Sequence, residues 1–243
     1  MIKGLLFDLG GTLFSYAGRG QMGQSLFATV QSLSLDIEPK EIGRAWRKSS
    51  NEVNSDYSKR EYFLHRDLFR DTLTHFAAQF ATTVPAAIME QFEDRQRSAV
   101  IDHLPIRDDC LETLQALKTK GLYLAIVSNI DDDYLAPLVT KHGLDNVLDH
   151  WTSSEEAQSC KPDTAIYHYS LDKAGFSASE GLFVGDSLHH DVAGASAVGM
   201  RSVRISEPGI ETPLTNGLAI TAQPDYEITQ LSELIAIVDD LHD

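Results

Sequence analysis

Apolar residues follow two rhythms along this chain. Short, mostly apolar runs stand at 2–7, 122–127 and 181–184, each stopped by glycine or polar residues, and the more polar stretch 201–205 reads as a further strand. Such runs are too brief for helices and apolar on both faces, which predicts strands buried in a parallel sheet. A weaker run at 150–153 predicts one more short strand. Elsewhere the apolar positions recur every three or four residues, the helical period.

The helical rhythm dominates from about residue 24 to 101. Leu26, Val30 and Leu33 form one set, and Ile42, Ala45 and Trp46 begin a second. A third runs through Phe63, Leu64, Leu68, Leu73 and Phe76 to Phe80, and Pro85 precedes a fourth with Ile88, Met89 and Phe92. Four helices with no strand between them predict a bundle of their own. After a linker at 103–107, helix and strand alternate. Helices are expected at 108–120, closed by Gly121, at 132–142, from Pro162 to 174, at 192–198 and at 230–241. Alternation predicts an α/β, Rossmann-like doubly wound parallel sheet with helices on both faces. The predicted division is a core of 1–16 and 103–243 carrying an inserted four-helix domain at 17–102. There are no internal repeats and no low-complexity segments.

Polar residues stand where the predicted strands stop. Asp8 ends the first and is followed by Gly10-Gly11, so the chain turns there. Ser128-Asn129 ends the second, and Asp186-Ser187 the later one with Asp191 close behind; Lys161 precedes the Pro162 helix. In a parallel sheet these emerge on one edge, where open α/β folds place their ligands. Three gathered carboxylates repel one another unless a cation joins them. Hard oxygen donors suit Mg²⁺, and Lys161 and Ser128 supply a charge and a donor for an anion, a set that describes phosphoryl transfer.

Composition narrows the partners. The 243 residues carry a formal net charge of −16, which repels a nucleic-acid backbone. Two cysteines, Cys110 and Cys160, lie in no metal-like spacing and predict buried thiols in a reducing compartment. No leader and no membrane-length apolar run is visible, so a cytoplasmic protein without membrane partners is expected.

Asp8-Leu-Gly-Gly-Thr12-Leu13, Ser128-Asn129, Lys161-Pro162 and Gly185-Asp-Ser-Leu-His-His-Asp191 resemble, in order, the four motifs of the haloacid dehalogenase superfamily. The helical insertion resembles that family's four-helix cap. The resemblance implies that Asp8 is a nucleophile forming an aspartyl-phosphate on a small phosphorylated substrate. It implies that Ser128 binds the phosphoryl oxygens, with Thr12 and Asn129 beside it at the substrate, and that Lys161 neutralises the charge. Mg²⁺ is implied at Asp8, the Gly10 carbonyl, Asp186 and Asp191, the last binding it or supporting its water shell.

Phosphatases of the family usually carry a second Asp two residues after the nucleophile, where this chain has Gly10. That Asp protonates the leaving oxygen, help worth roughly 10²–10⁴-fold. Stable leaving groups such as halide or acyl phosphate manage without it. A Mg²⁺-dependent phosphatase is the leading expectation. A haloacid dehalogenase-type hydrolase and a metabolite-binding protein without turnover stand as alternatives.

Other features have plainer readings. Asp131-Asp132-Asp133 predicts a helix N-terminus, and Lys40, Lys48, Lys59, His65, Arg66 and Arg70 predict solvated surface. His189 and His190, as adjacent residues, do not share a helix face, although one of them could stand in for the missing acid. Phe14, Tyr16 and Arg19 either line a substrate entrance or form a hinge.

Overall fold

The computed structural model describes residues 1–210 and 222–242. The chain divides into two compact units, Met1–Ala17 with Pro105–Asp243, and Gly18–Leu104. Strand β1 (Gly4–Phe7) comes first, and the whole second unit follows it.

That unit consists of helices α1 (Arg19–Ser32), α2 (Pro39–Tyr57), α3 (His65–Ala78) and α4 (Ala86–His103). Proline marks two of the starts: Pro39 is the first residue of α2, and Pro85 caps α4 in an extended conformation. Helix α1 packs on α4, and α3 packs on both α2 and α4. Their shared core is the apolar set of the sequence: Leu26, Val30, Ile42, Ala45, Leu73, Phe76 and Phe92. Trp46 lies against two of its rings, 6.0 Å from Phe76 and 6.0 Å from Phe92. Tyr57 belongs to a smaller cluster with Val53 and Leu68, and its hydroxyl donates to Asp71 at 2.7 Å. On the surface, Arg70 meets Glu93 at 2.6 Å. The side chain of Arg19 lies outside the described residues.

The first unit continues with α5 (Cys110–Thr119), β2 (Tyr123–Ser128), α6 (Asp132–Lys141), β3 (His150–Ser153), α7 (Ser154–Ala157) and α8 (Thr164–Ala174). Then come β4 (Gly181–Gly185), a π-helical turn (Leu188–Ala193), α9 (Gly194–Ala197), β5 (Arg201–Ile205), β6 (Tyr226–Ile228) and α10 (Leu234–His242). The six strands form one parallel sheet in the order β3-β2-β1-β4-β5-β6. The chain therefore starts mid-sheet, builds outward through β2 and β3, then returns to the other side of β1 for β4. That return makes a topological switch point at β1, where such sheets bind ligands.

Register decides which side chains meet. Leu6 lies opposite Ala125 on one side and Phe183 on the other, so all three share one face. They pack with Val127, Ile166, Tyr167, Leu171, Ala195 and Met200 into one core. Phe183 is fully buried there, and trimming such a side chain to alanine costs about 3–5 kcal/mol.

Three details depart from the sequence reading. The expected 192–198 helix is the π-helical turn followed by the short α9. Pro162 precedes α8 rather than opening it; Asp163 caps that helix by accepting from the Ala165 amide at 2.8 Å. Strand β6 was not expected, because a three-residue edge strand carries too few positions to show a period. Cys110 and Cys160 are buried thiols, and burial pushes the Cys110 thiol up to about 12. Among the described residues no helix is long and apolar enough to cross a membrane.

Candidate active site

The sheet positions the first carboxylate directly. Asp8 follows β1, and its amide donates to the Val184 carbonyl at 2.9 Å, extending the ladder by one residue. Ser128 is the last residue of β2, and Asp186 follows the last residue of β4. Because β2, β1 and β4 are neighbours, these three residues come to one edge of the sheet. Asp191 enters from the π-helical turn, where the Ser187 amide donates to its Oδ2 at 2.9 Å.

Lys161 ties the set together. Its Nζ lies 2.6 Å from Asp8 Oδ1 and 2.6 Å from Asp191 Oδ1. Ser128 Oγ donates to the same Asp8 oxygen at 2.9 Å. Asn129 fixes the lysine backbone twice: its Nδ2 donates to the Lys161 carbonyl at 2.9 Å, and its Oδ1 accepts from the Lys161 amide at 2.7 Å. Thr12 is fully buried, and its hydroxyl has no partner among the described residues.

Burial is nearly complete and sets the electrostatics. Lys161 is 3% exposed, Asp191 1%, and Asp8 and Asp186 8% each. Burial works against the Lys161 charge, but the Asp191 and Asp8 carboxylates more than offset it and hold the ammonium above its ordinary value. Burial raises Asp191 to about 6, with the Asp8 charge adding to the rise and Lys161 opposing it.

Oxygens of Asp8, Asp186 and Asp191 all lie within 4.8 Å of one another. Carboxylates held that close in a buried place fit a hard divalent cation, which takes a few carboxylate oxygens and completes its shell with water and ligand oxygens. The turn beneath them needs glycine. Gly11 has φ +83°, and a Cβ there would lie 2.2 Å from Asp186 Oδ2.

The residues singled out in the sequence thus converge, except at the margins. Phe14 lines no entrance: it is fully buried, its ring edge-on to His142 at 4.9 Å. His190 turns inward, its Nδ1 3.3 Å from Ser187 Oγ, while its carbonyl accepts from Tyr167 at 2.5 Å. Asp131-Asp132-Asp133 is the expected helix N-terminus: Asp131 precedes α6 in an extended conformation without a side-chain cap, and Asp132 and Asp133 lie in its first turn. Asp131 and Asp133 also form a second acidic group with Glu155, their oxygens within 4.8 Å of one another.

Two supports escaped the sequence reading. Arg107 Nη2 donates to the Gly11 carbonyl at 2.8 Å and lies 3.6 Å from Glu207, which also accepts from Ser15 Oγ at 2.7 Å. Arg107 sits in what reads as a linker, and no spacing relates it to Gly11. Ser187 does more than belong to its motif: it caps the His190 amide at 3.1 Å, and a serine ahead of a helical turn is the signal for that.

Comparison with known proteins agrees with this architecture. The chain is 27% identical over 241 residues to ribulose-1,5-bisphosphate 5-phosphatase of Halopiger xanaduensis, covering 98% of this chain and 100% of that one. It is 26% identical over 242 residues to (S)-2-haloacid dehalogenase 4A of Burkholderia cepacia, covering 99% and 93%. The crystal structure of the HAD-hydrolase YfnB of Bacillus subtilis, bound to magnesium, superposes with a TM-score of 0.76 over 98% of this chain and 99% of that one. At 17% identity this likeness speaks for the fold alone. Residues 2–199 match the model of the haloacid dehalogenase-like hydrolases, a hydrolase family to which this chain belongs.

Proposed function

We propose that this hydrolase is a Mg²⁺-dependent phosphatase of a small phosphorylated metabolite, working through an aspartyl-phosphate on Asp8. The observation that carries the reading is Lys161 Nζ, 2.6 Å from both Asp8 and Asp191 within a cluster of three buried carboxylates. A carboxylate attacks a phosphate dianion only where charge repulsion is offset, and this cluster is built for that.

Asp8 attacks phosphorus as the ester oxygen departs, and water then displaces the phosphate from Asp8. Ser128 and Lys161 hold the phosphoryl oxygens, and Asn129 keeps Lys161 in place through its two backbone contacts. Thr12, whose buried hydroxyl has no partner among the described residues, completes the substrate side. Asp8, Asp186, Asp191 and the Gly10 carbonyl would hold Mg²⁺, which when bound screens the phosphoryl charge. The similarity to ribulose-1,5-bisphosphate 5-phosphatase supports the substrate class.

A dehalogenase is the second reading, favoured by the similarity to (S)-2-haloacid dehalogenase 4A and by Gly10. The test is phosphate release from alkyl, aryl and acyl phosphates with Mg²⁺ or EDTA, beside Asp8→Asn. Metal-dependent release that disappears in Asp8→Asn is expected. Halide release from 2-haloacids in EDTA, with no phosphate release from any ester, would overturn the phosphatase reading.

A further inference from the structure

Gly10 leaves no side chain where the family resemblance expects a carboxyl, yet its place is filled. A Cβ on Gly10 would lie 2.6 Å from Tyr16 Oη, 3.1 Å from Cζ and 3.2 Å from Cε1. The same ring reaches further along the turn. The point a Gly11 Cβ would occupy is 2.8 Å from Tyr16 Cε2 and 2.2 Å from Asp186 Oδ2. The phenol therefore lies against the nucleophile loop, its hydroxyl over Gly10 and its ring edge beside the carboxylate cluster. Tyr16 itself is half-buried.

Its segment is anchored. The Ser15 amide donates to the Pro105 carbonyl at 2.9 Å, and Ser15 Oγ donates to Glu207 at 2.7 Å. The Ala17 amide then donates back to Ser15 Oγ at 3.0 Å, closing the turn around Tyr16. These bonds fix the backbone on both sides of Tyr16, which limits what must be ordered to bring its side chain to a reacting centre.

We infer that Tyr16 is a catalytic residue, its hydroxyl giving the proton that the departing oxygen of an alkyl phosphate needs; this rests on the phosphotransfer reading above. A phenol hydroxyl carries one proton that it can donate. In the first step the bond from Asp8 to phosphorus forms and the bond from phosphorus to the ester oxygen breaks. That oxygen takes the Tyr16 Oη proton and leaves as the alcohol, with a phenolate behind it. In the second step water attacks phosphorus, its proton returns to Tyr16 Oη, and phosphate leaves Asp8 as a free carboxylate. The hydroxyl stands in for the carboxyl that position 10 lacks, and the phenol where it lies leaves no room for a side chain there.

The test compares wild type and Tyr16→Phe, with Mg²⁺, on glycerol phosphate and on p-nitrophenyl phosphate. The first leaving oxygen needs a proton and the second leaves as a stable anion. Turnover of glycerol phosphate should fall about 10²-fold, and that of the aryl ester far less. Equal losses on both esters would mean that the ring merely packs, and no loss on either would mean that the hydroxyl is idle; each overturns the inference while leaving the phosphatase reading intact. No phosphate release by wild type from either ester overturns the inference, and the phosphatase reading then stands or falls on the wider panel of alkyl, aryl and acyl phosphates above. Crowding gives an independent check. Gly10→Asp should restore glycerol phosphate turnover in a Tyr16→Ala background and fail to raise it in wild type. A gain in wild type would show that Tyr16 does not hold that place.

Discussion

Replacing Lys161 by methionine removes the ammonium from between Asp8 and Asp191 while keeping most of the side chain's volume. Breaking a buried ion pair by deleting one partner typically costs about 3–5 kcal/mol, because the other charge stays buried and uncompensated. Here two carboxylates, each 2.6 Å from Nζ, lose that partner. The variant's easiest relief is to keep a proton on one of them. Wild-type Asp191, raised to about 6, releases its proton near that pH. Above it the folded variant binds a proton that folded wild type has given up, and the two unfolded chains bind alike. The stability deficit must therefore widen with pH by about 1.4 kcal/mol per unit above 6, or ~2 kcal/mol by pH 7.5. Urea unfolding in EDTA at both pH values, followed by the fluorescence of Trp46 and Trp151, measures it. The double variant Lys161→Met/Asp191→Asn should regain much of the loss, since it buries one charge fewer. A deficit under about 1 kcal/mol, or one that does not change with pH, would refute the ion-pair reasoning.

A second pH effect belongs to His150, whose ring is held between Tyr123 at 2.9 Å and Ser170 at 2.8 Å. Burial, helped by Lys173, lowers its pKa to about 4 against an ordinary 6.5. The unfolded chain binds the extra proton first, so stability falls as pH drops from 6.5 towards 4, by at most about 3 kcal/mol. His150→Asn should flatten that slope in urea titrations. Mg²⁺ should raise the melting temperature of wild type, and Asp186→Asn should abolish the rise; an equal shift in both would place the ion elsewhere. Gly11→Ala combines a left-handed backbone with a Cβ against Asp186 and should cost about 2 kcal/mol by urea unfolding, with weakened Mg²⁺ response.

Much of this protein is legible in the linear sequence, because the forces that make its elements act at short range. Apolar runs at 2–7, 122–127 and 181–184 have no solvent-facing side, so they can only be interior strands. The helical rhythm through Leu26, Ile42, Leu73 and Phe92 needs a core of its own and finds it in a separate unit. Asp8, Ser128 and Asp186 could be picked out as a set because a parallel sheet brings every strand's carboxyl end to one edge.

What the sequence could not hold is anything that depends on two distant segments approaching each other. Strand order is one case: only in three dimensions does β4 return beside β1, bringing Asp186 to Asp8. Arg107 at the Gly11 carbonyl, 96 positions away, has no local signal, since a hydrogen bond between remote segments leaves no period. Lys161 is legible as a charge for the site, but its place 2.6 Å from both Asp8 and Asp191, and the burial that with the Asp8 charge raises Asp191, exist only in the folded chain. Position 10 draws the line most sharply. The sequence determined that a carboxyl is missing there. The tertiary structure decided that the space holds a phenol, because packing fills a volume with whichever side chain the fold brings to it.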